Sequence, residues 1–153
     1  MLSSSRIDPG VLGHLLSQHR ELHARLLALR ETFRRPRPPG GAGLEAIRGE
    51  LRGLRDYLAG HFAQEESGGH LEESIARMPR LSAAARAVLA EHSGLIAELE
   101  SLLERVSTRD IRRVTWSEVA AGFAAFTDHL LDHERNENAV LQQGYNEDFG
   151  FPD

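Results

Sequence analysis

The chain has 153 residues, 41% apolar and 27% charged, which is the size and composition of one globular domain rather than of a disordered or bilayer-spanning protein. It contains no cysteine, which excludes disulfides, thiolate chemistry and cysteine-held zinc, and its net charge of −5 argues against a general nucleic-acid binder. The N-terminus, MLSSSRIDPGVLGHLL, lacks the apolar stretch of a secretory leader, and no window is long and apolar enough to span a bilayer. The expectation is a single soluble, cytoplasmic domain over residues 1–153 that engages neither nucleic acid nor membrane.

Ala, Leu, Arg and Glu dominate, while β-branched and aromatic runs are scarce, so local preference favours helix almost throughout. Asp8-Pro9 reads as a helix start, an N-cap carboxylate followed by proline in the first turn, and a first helix covers about residues 8–33. RRPRPPGGAG, Arg34 to Gly43, is a loop that no helix can cross. A second helix covers about 44–66 and closes at Ser67-Gly68-Gly69. A short extra helical turn, Leu71 to Arg77, leads to Met78-Pro79, and Ser82 then caps a third helix over about 82–106. Thr115 and Glu118 form a capping box for a fourth over about 116–142, and the Gly- and Pro-marked tail, 143–153, does not continue it.

Apolar residues recur at alternating intervals of three and four in all four segments, the seam that a four-helix bundle buries. The first seam runs Leu15, His19, Leu22, Leu26 and Leu29, and the second Leu51, Leu54, Leu58, His61 and Glu65. The third runs Val88, His92, Leu95 and Leu99, and the fourth Phe126, Leu130, His133, Glu137 and Val140. This predicts an all-α, antiparallel up-down-up-down bundle. Six seam residues are polar: His19, His61, Glu65, His92, His133 and Glu137. At ~1.5 Å rise per residue, His19 and His92 lie at similar depth in their helices, and the two His-xxx-Glu pairs fall a few ångströms away. All six therefore converge on one level.

A lone histidine on an apolar face is usually a satisfied core residue, and a single His-xxx-Glu is usually a solvated pair. Six polar residues in register on four separate seams are not explained that way, because a dry core excludes them unless something satisfies them. Four imidazoles and two carboxylates suit two metal ions bridged by the glutamates. Iron or manganese fits that mixture, whereas zinc prefers four ligands and would enter by substitution.

The ordered pattern H…HxxxE…H…HxxxE resembles the hemerythrin-like proteins of the HHE cation-binding class. It is carried by His19, by HFAQEE from His61 to Glu66, by Glu91-His92, and by HERNEN from His133 to Asn138. The resemblance covers nearly the whole chain and implies a four-helix bundle around an oxo- or hydroxo-bridged pair of iron ions. The oxygen-carrying hemerythrins add a histidine four residues after the third-helix ligand, where this chain has Ile96, and an aspartate where it has Asn138, with Glu137 available instead. One imidazole fewer argues against simple oxygen storage and for a centre that binds or reacts with dioxygen, hydrogen peroxide or nitric oxide. The alternative is an iron- or oxygen-sensing regulatory module acting through a protein partner. No specific enzymatic reaction is assignable.

Five further residues are candidates for an additional ligand or for supporting the ligands. Glu134 lies within the HExxE of the fourth helix, His23 lies one turn after His19, and His129 lies four residues before His133. Glu66 neighbours Glu65, and Tyr57 lies one turn before His61. His14 and His70 read as surface residues.

Overall fold

Pro9 lacks the N–H that a first turn leaves unpaired, and helix α1 (Pro9–Arg34) begins on it. Helices α2 (Gly41–Ser67), α3 (Ser82–Ser107) and α4 (Arg113–Asp148) follow, with a 3-10 turn at Pro79–Leu81 just before α3. The computed structural model describes residues 9–67, 79–107 and 113–148. Asp8, the expected turn from Leu71 to Arg77, His70 and the end of the tail lie outside the described residues, as does the side chain of His14.

Three helix boundaries differ from the sequence expectation, and glycine bears on two of them. α2 starts at Gly41 rather than Leu44, with the amide of Leu44 bonding the carbonyl of Gly40 at 3.4 Å, so the connection is shorter than Arg34 to Gly43. Gly43 suits this turn because a Cβ there would meet the Pro38 ring at 2.5 Å, and a proline ring cannot yield as a flexible side chain can. α4 continues to Asp148 instead of stopping near Gln142, so residues 143–148 are helix rather than tail. An interior glycine such as Gly144 costs a helix only about 1 kcal/mol. α4 also begins at Arg113, which puts Thr115 inside the first turn rather than at the cap.

The helices pack in ring order: α1 touches α2 and α4, and α3 touches α2 and α4. The end of α1 meets the start of α4, where Trp116 Nε1 donates to the carbonyl of Arg35 at 3.3 Å. The start of α2 meets the end of α3, where Arg48 donates to the carbonyl of Val106 at 3.2 Å. Neighbours are thus antiparallel, giving an all-α four-helix bundle. Its main core holds Leu22, Leu29, Leu51, Leu58, Leu99 and Phe126, all essentially inaccessible. A smaller apolar cluster of Ala85, Val88 and Val140 lies further along α3 and α4. The polar members of the α3 and α4 seams sit between these two clusters.

Candidate metal centre

The same 3-4 spacing that buries leucine elsewhere turns the six polar side chains inward. His61, Glu65, His92, His133 and Glu137 are buried, with Glu65 and Glu137 each only 2% exposed, and His19 is half-buried. They form two groups that share one carboxylate. His19, His61, Glu65 and Glu137 make the first, and Glu65, His92 and His133 the second, with the ligand atoms of each group within 4.8 Å of one another. The structure therefore brings together all six seam residues and places Glu65 where it can bridge two cations.

The contacts inside the cluster are close without being satisfied. His61 Nε2 lies 2.5 Å from Glu65 Oε1, His92 Nε2 3.1 Å from Glu65 Oε2, and His133 Nε2 3.5 Å from Glu137 Oε2. The Nε2 atoms of His19 and His61 face each other at 3.2 Å. Yet both oxygens of Glu65, Nε2 of His92 and both ring nitrogens of His133 are buried without a directed hydrogen bond. Buried polar atoms in proteins are nearly always paired, so this knot of unpaired imidazole and carboxylate atoms is a donor set that fits a cation.

Charge within the cluster is distributed unevenly. Burial alone would raise Glu65, but the close imidazoles of His61 and His92 and the carboxyl of Glu137 hold it well below the ordinary carboxylate range. Burial raises Glu137 to about 7, and the neighbouring Glu65 carboxylate adds to the rise against the opposing pull of His133. Without a cation, and below about pH 7, the pair of glutamates holds one proton, on the Glu137 side. Burial lowers His19, more than the charges of Glu134 and Glu65 raise it. Burial opposes protonation of His92 as well, but Glu65 and Glu66 outweigh it and raise that imidazole.

The flanking residues sort by what they touch. His92 Nδ1 donates to Glu66 at 3.0 Å, which leaves its Nε2 lone pair aimed at the cluster. His133 Nδ1 approaches Glu91 at 3.4 Å. His23 Nε2 donates to Glu134 at 2.6 Å, and neither residue belongs to the two groups. His129 points away from the cluster and bonds Glu98 on α3 at 2.9 Å, near the surface. Tyr57 lies under the Arg25 guanidinium, 5.0 Å from it, against α1.

Two residues of the site carry no signal in the seam pattern. Phe62 stacks on His92, with centroids 3.8 Å apart and planes at 4°, and meets His133 edge-on at 5.4 Å. Its position directly after His61 was the available clue. Glu91 is polar and part-exposed, and only the approach of α3 to α4 reveals its partner.

Among the described residues, no helix is long and apolar enough to cross a membrane. No curated protein and no solved structure matches the chain. The model of the hemerythrin HHE cation-binding domain does match, over residues 10–143. That span includes α2 and α3, nearly all of α1, α4 up to residue 143, and every residue of the buried cluster, so the chain belongs to the hemerythrin HHE cation-binding family.

Proposed function

We propose that the chain is a non-haem di-iron protein that binds or reacts with dioxygen, hydrogen peroxide or nitric oxide. The observation that carries this reading is the pair of buried ligand groups joined by Glu65. His19, His61 and Glu137 would complete one iron site with Glu65, and His92 and His133 the other. Bound iron supplies a redox couple and open coordination for a small ligand. The chain's own residues do the rest. Glu66 orients the α3 imidazole, Glu91 stands beside the α4 imidazole, and Phe62 packs an apolar ring against both. Ile96, partly buried against the main core, holds the sequence position at which the oxygen carriers that the chain resembles add a histidine. That substitution supports reaction over storage, because it leaves one iron with fewer protein ligands.

Elemental analysis of protein purified in air tests the centre, with two iron ions per chain expected and at most one bound metal overturning it. Mixing the reduced protein with oxygenated buffer tests the chemistry. Rapid irreversible oxidation, with measurable peroxide turnover or nitric oxide binding, is expected. Oxygen uptake that reverses under vacuum would make the protein a carrier.

A further inference from the structure

The antiparallel register of α1 and α4 lays down one continuous seam that leads to the cluster. Backwards along α1 the seam reads Arg34, Arg30, Leu27, His23 and His19, and forwards along α4 it reads Ala120, Ala124, Thr127, Leu131 and Glu134. The two helices do not close over this line. A cleft of about 400 Å³ lies over Phe33 and Phe123. It shares Arg30, Thr127 and Leu131 with a second cleft of about 150 Å³, which reaches Leu26, Leu27 and His23. One turn further in stand His19, the least buried of the six cluster residues, and Glu134.

Two other approaches are covered among the described residues. Glu66 and Phe62 lie against His92 between α2 and α3, and Glu91 lies against His133 between α3 and α4. Ala85, Val88 and Val140 fill the space beyond the cluster on α3 and α4. The α1–α4 cleft, by contrast, runs open along the described residues to within one turn of the cluster.

At its inner end sits an unusual group. The Glu134 side chain is 8% exposed and its Oε2 is held by His23, whose own side chain is 47% exposed. Its Oε1 is buried with no hydrogen-bond partner. Solvent screens the histidine end of this pair far more than the carboxylate end, so the inward-facing field is the carboxylate's. A neutral diatomic or a peroxide molecule passes such a group with little penalty. An anion must approach a buried negative charge in a low-dielectric passage.

We infer that the α1–α4 cleft is the route by which small ligands reach the cluster, and that Glu134, latched by His23, makes it selective for neutral ligands over anions. The inference rests on the proposed iron centre. It is tested on the iron-loaded, reduced chain by stopped-flow measurement of nitric oxide and azide association at low and high ionic strength. Glu134→Gln keeps the shape and removes the charge. It should raise the ratio of azide to nitric oxide association rates about tenfold, and flatten the salt dependence of the azide rate. Leu131→Trp, and Leu27→Trp at the 59%-exposed lip, should slow both ligands about equally. An unchanged ratio in Glu134→Gln overturns the filter, and unchanged rates in both tryptophan variants place the entrance elsewhere. Normal iron content with either result overturns the inference alone, whereas a chain that binds no iron overturns the proposed centre with it.

Discussion

The two halves of this bundle are built on the same rhythm and held together by opposite means. In the half where α1 ends and α4 begins, Phe33 packs on Trp116 and Phe123 with centroids 5.2 and 5.1 Å apart, and Phe123 meets Phe126 at 6.1 Å. That half gains stability from every atom it buries. In the half that holds the cluster, the same seam positions bury two carboxylates and three imidazoles as completely as any leucine. Burial there costs free energy until a cation collects the lone pairs. One end of the molecule therefore folds for its own sake, and the other is shaped for something it must bind.

The largest test of this contrast removes a ring from the apolar half. Phe123→Ala leaves a cavity beside Phe33 and Phe126 and should cost about 3–5 kcal/mol in urea unfolding. The loss should be the same with and without metal, because nothing in that half depends on the cluster. A loss that vanished on metal loading would join the two halves energetically.

Removing the metal should come next in size. A native-state ligand at a thousand times its dissociation constant contributes about 4 kcal/mol, so chelator-stripped protein should melt well below the loaded form. Glu65→Gln sharpens the point, since Glu65 belongs to both ligand groups. The variant should lose most of the metal-dependent rise in Tm, and the stripped protein should itself be less stable at neutral pH, because His61 and His92 lose the carboxylate they face. Equal melting of loaded and stripped wild-type protein would mean that the cluster tolerates being empty.

The stripped protein should also respond to pH in a way the loaded protein does not. Glu137 is raised in the folded state to about 7 from 4.5, so between those values the folded chain holds a proton the unfolded chain has released. Stability therefore falls as pH rises from 4.5 to about 7, and the raised His92 adds to the fall as pH passes above its ordinary value. Glu65, held low, acts the other way: its contribution is present above 4.5 and is lost as pH falls toward its folded-state value. The lowered His19 offsets part of the fall below its ordinary value, and on balance stripped protein should be more stable at pH 5 than at pH 7.5. Metal ligation requires both carboxylates ionised and so reverses the upper slope. Urea midpoints at pH 5 and 7.5, with and without metal, check the signs.

How much of this was legible in the residues depends on whether the information lies along one helix or between two. The 3-4 rhythm marks the helices, and it marks His19, His61, Glu65, His92, His133 and Glu137 because each interrupts an apolar seam. Helix ends beside glycine were not legible, since Gly41, Gly43 and Gly144 weaken a helix without forbidding it. Nor was any pairing across helices. His23 and Glu134 were each suspect on their own helix, but 111 residues separate them, and only the α1–α4 packing sets them 2.6 Å apart. The partner of Glu91 is hidden for the same reason, and the role of Phe62 because an aromatic ring one step off the seam looks like ordinary core.

The smallest predicted effect is at His129, and it tests whether spacing alone can define a ligand. His129 and His133 stand four residues apart, a spacing at which two imidazoles can share a metal. The structure separates them. His133 is 1% exposed within the cluster, while His129 is 58% exposed and bonds Glu98, itself 38% exposed, across the α3–α4 surface. A one-residue offset from the seam accounts for this, since Leu130 takes the buried position next to His129. Exposed ion pairs contribute about 0–1 kcal/mol, because solvent screens the charges and ordering two side chains costs entropy. His129→Ala should therefore lower stability by less than about 0.5 kcal/mol, with unchanged metal content. His133→Ala, four residues on, should lose metal and abolish the metal-dependent rise in Tm. Metal analysis of the two variants side by side decides between register and spacing: equal loss in both would show that the bundle admits His129 to the centre when metal binds.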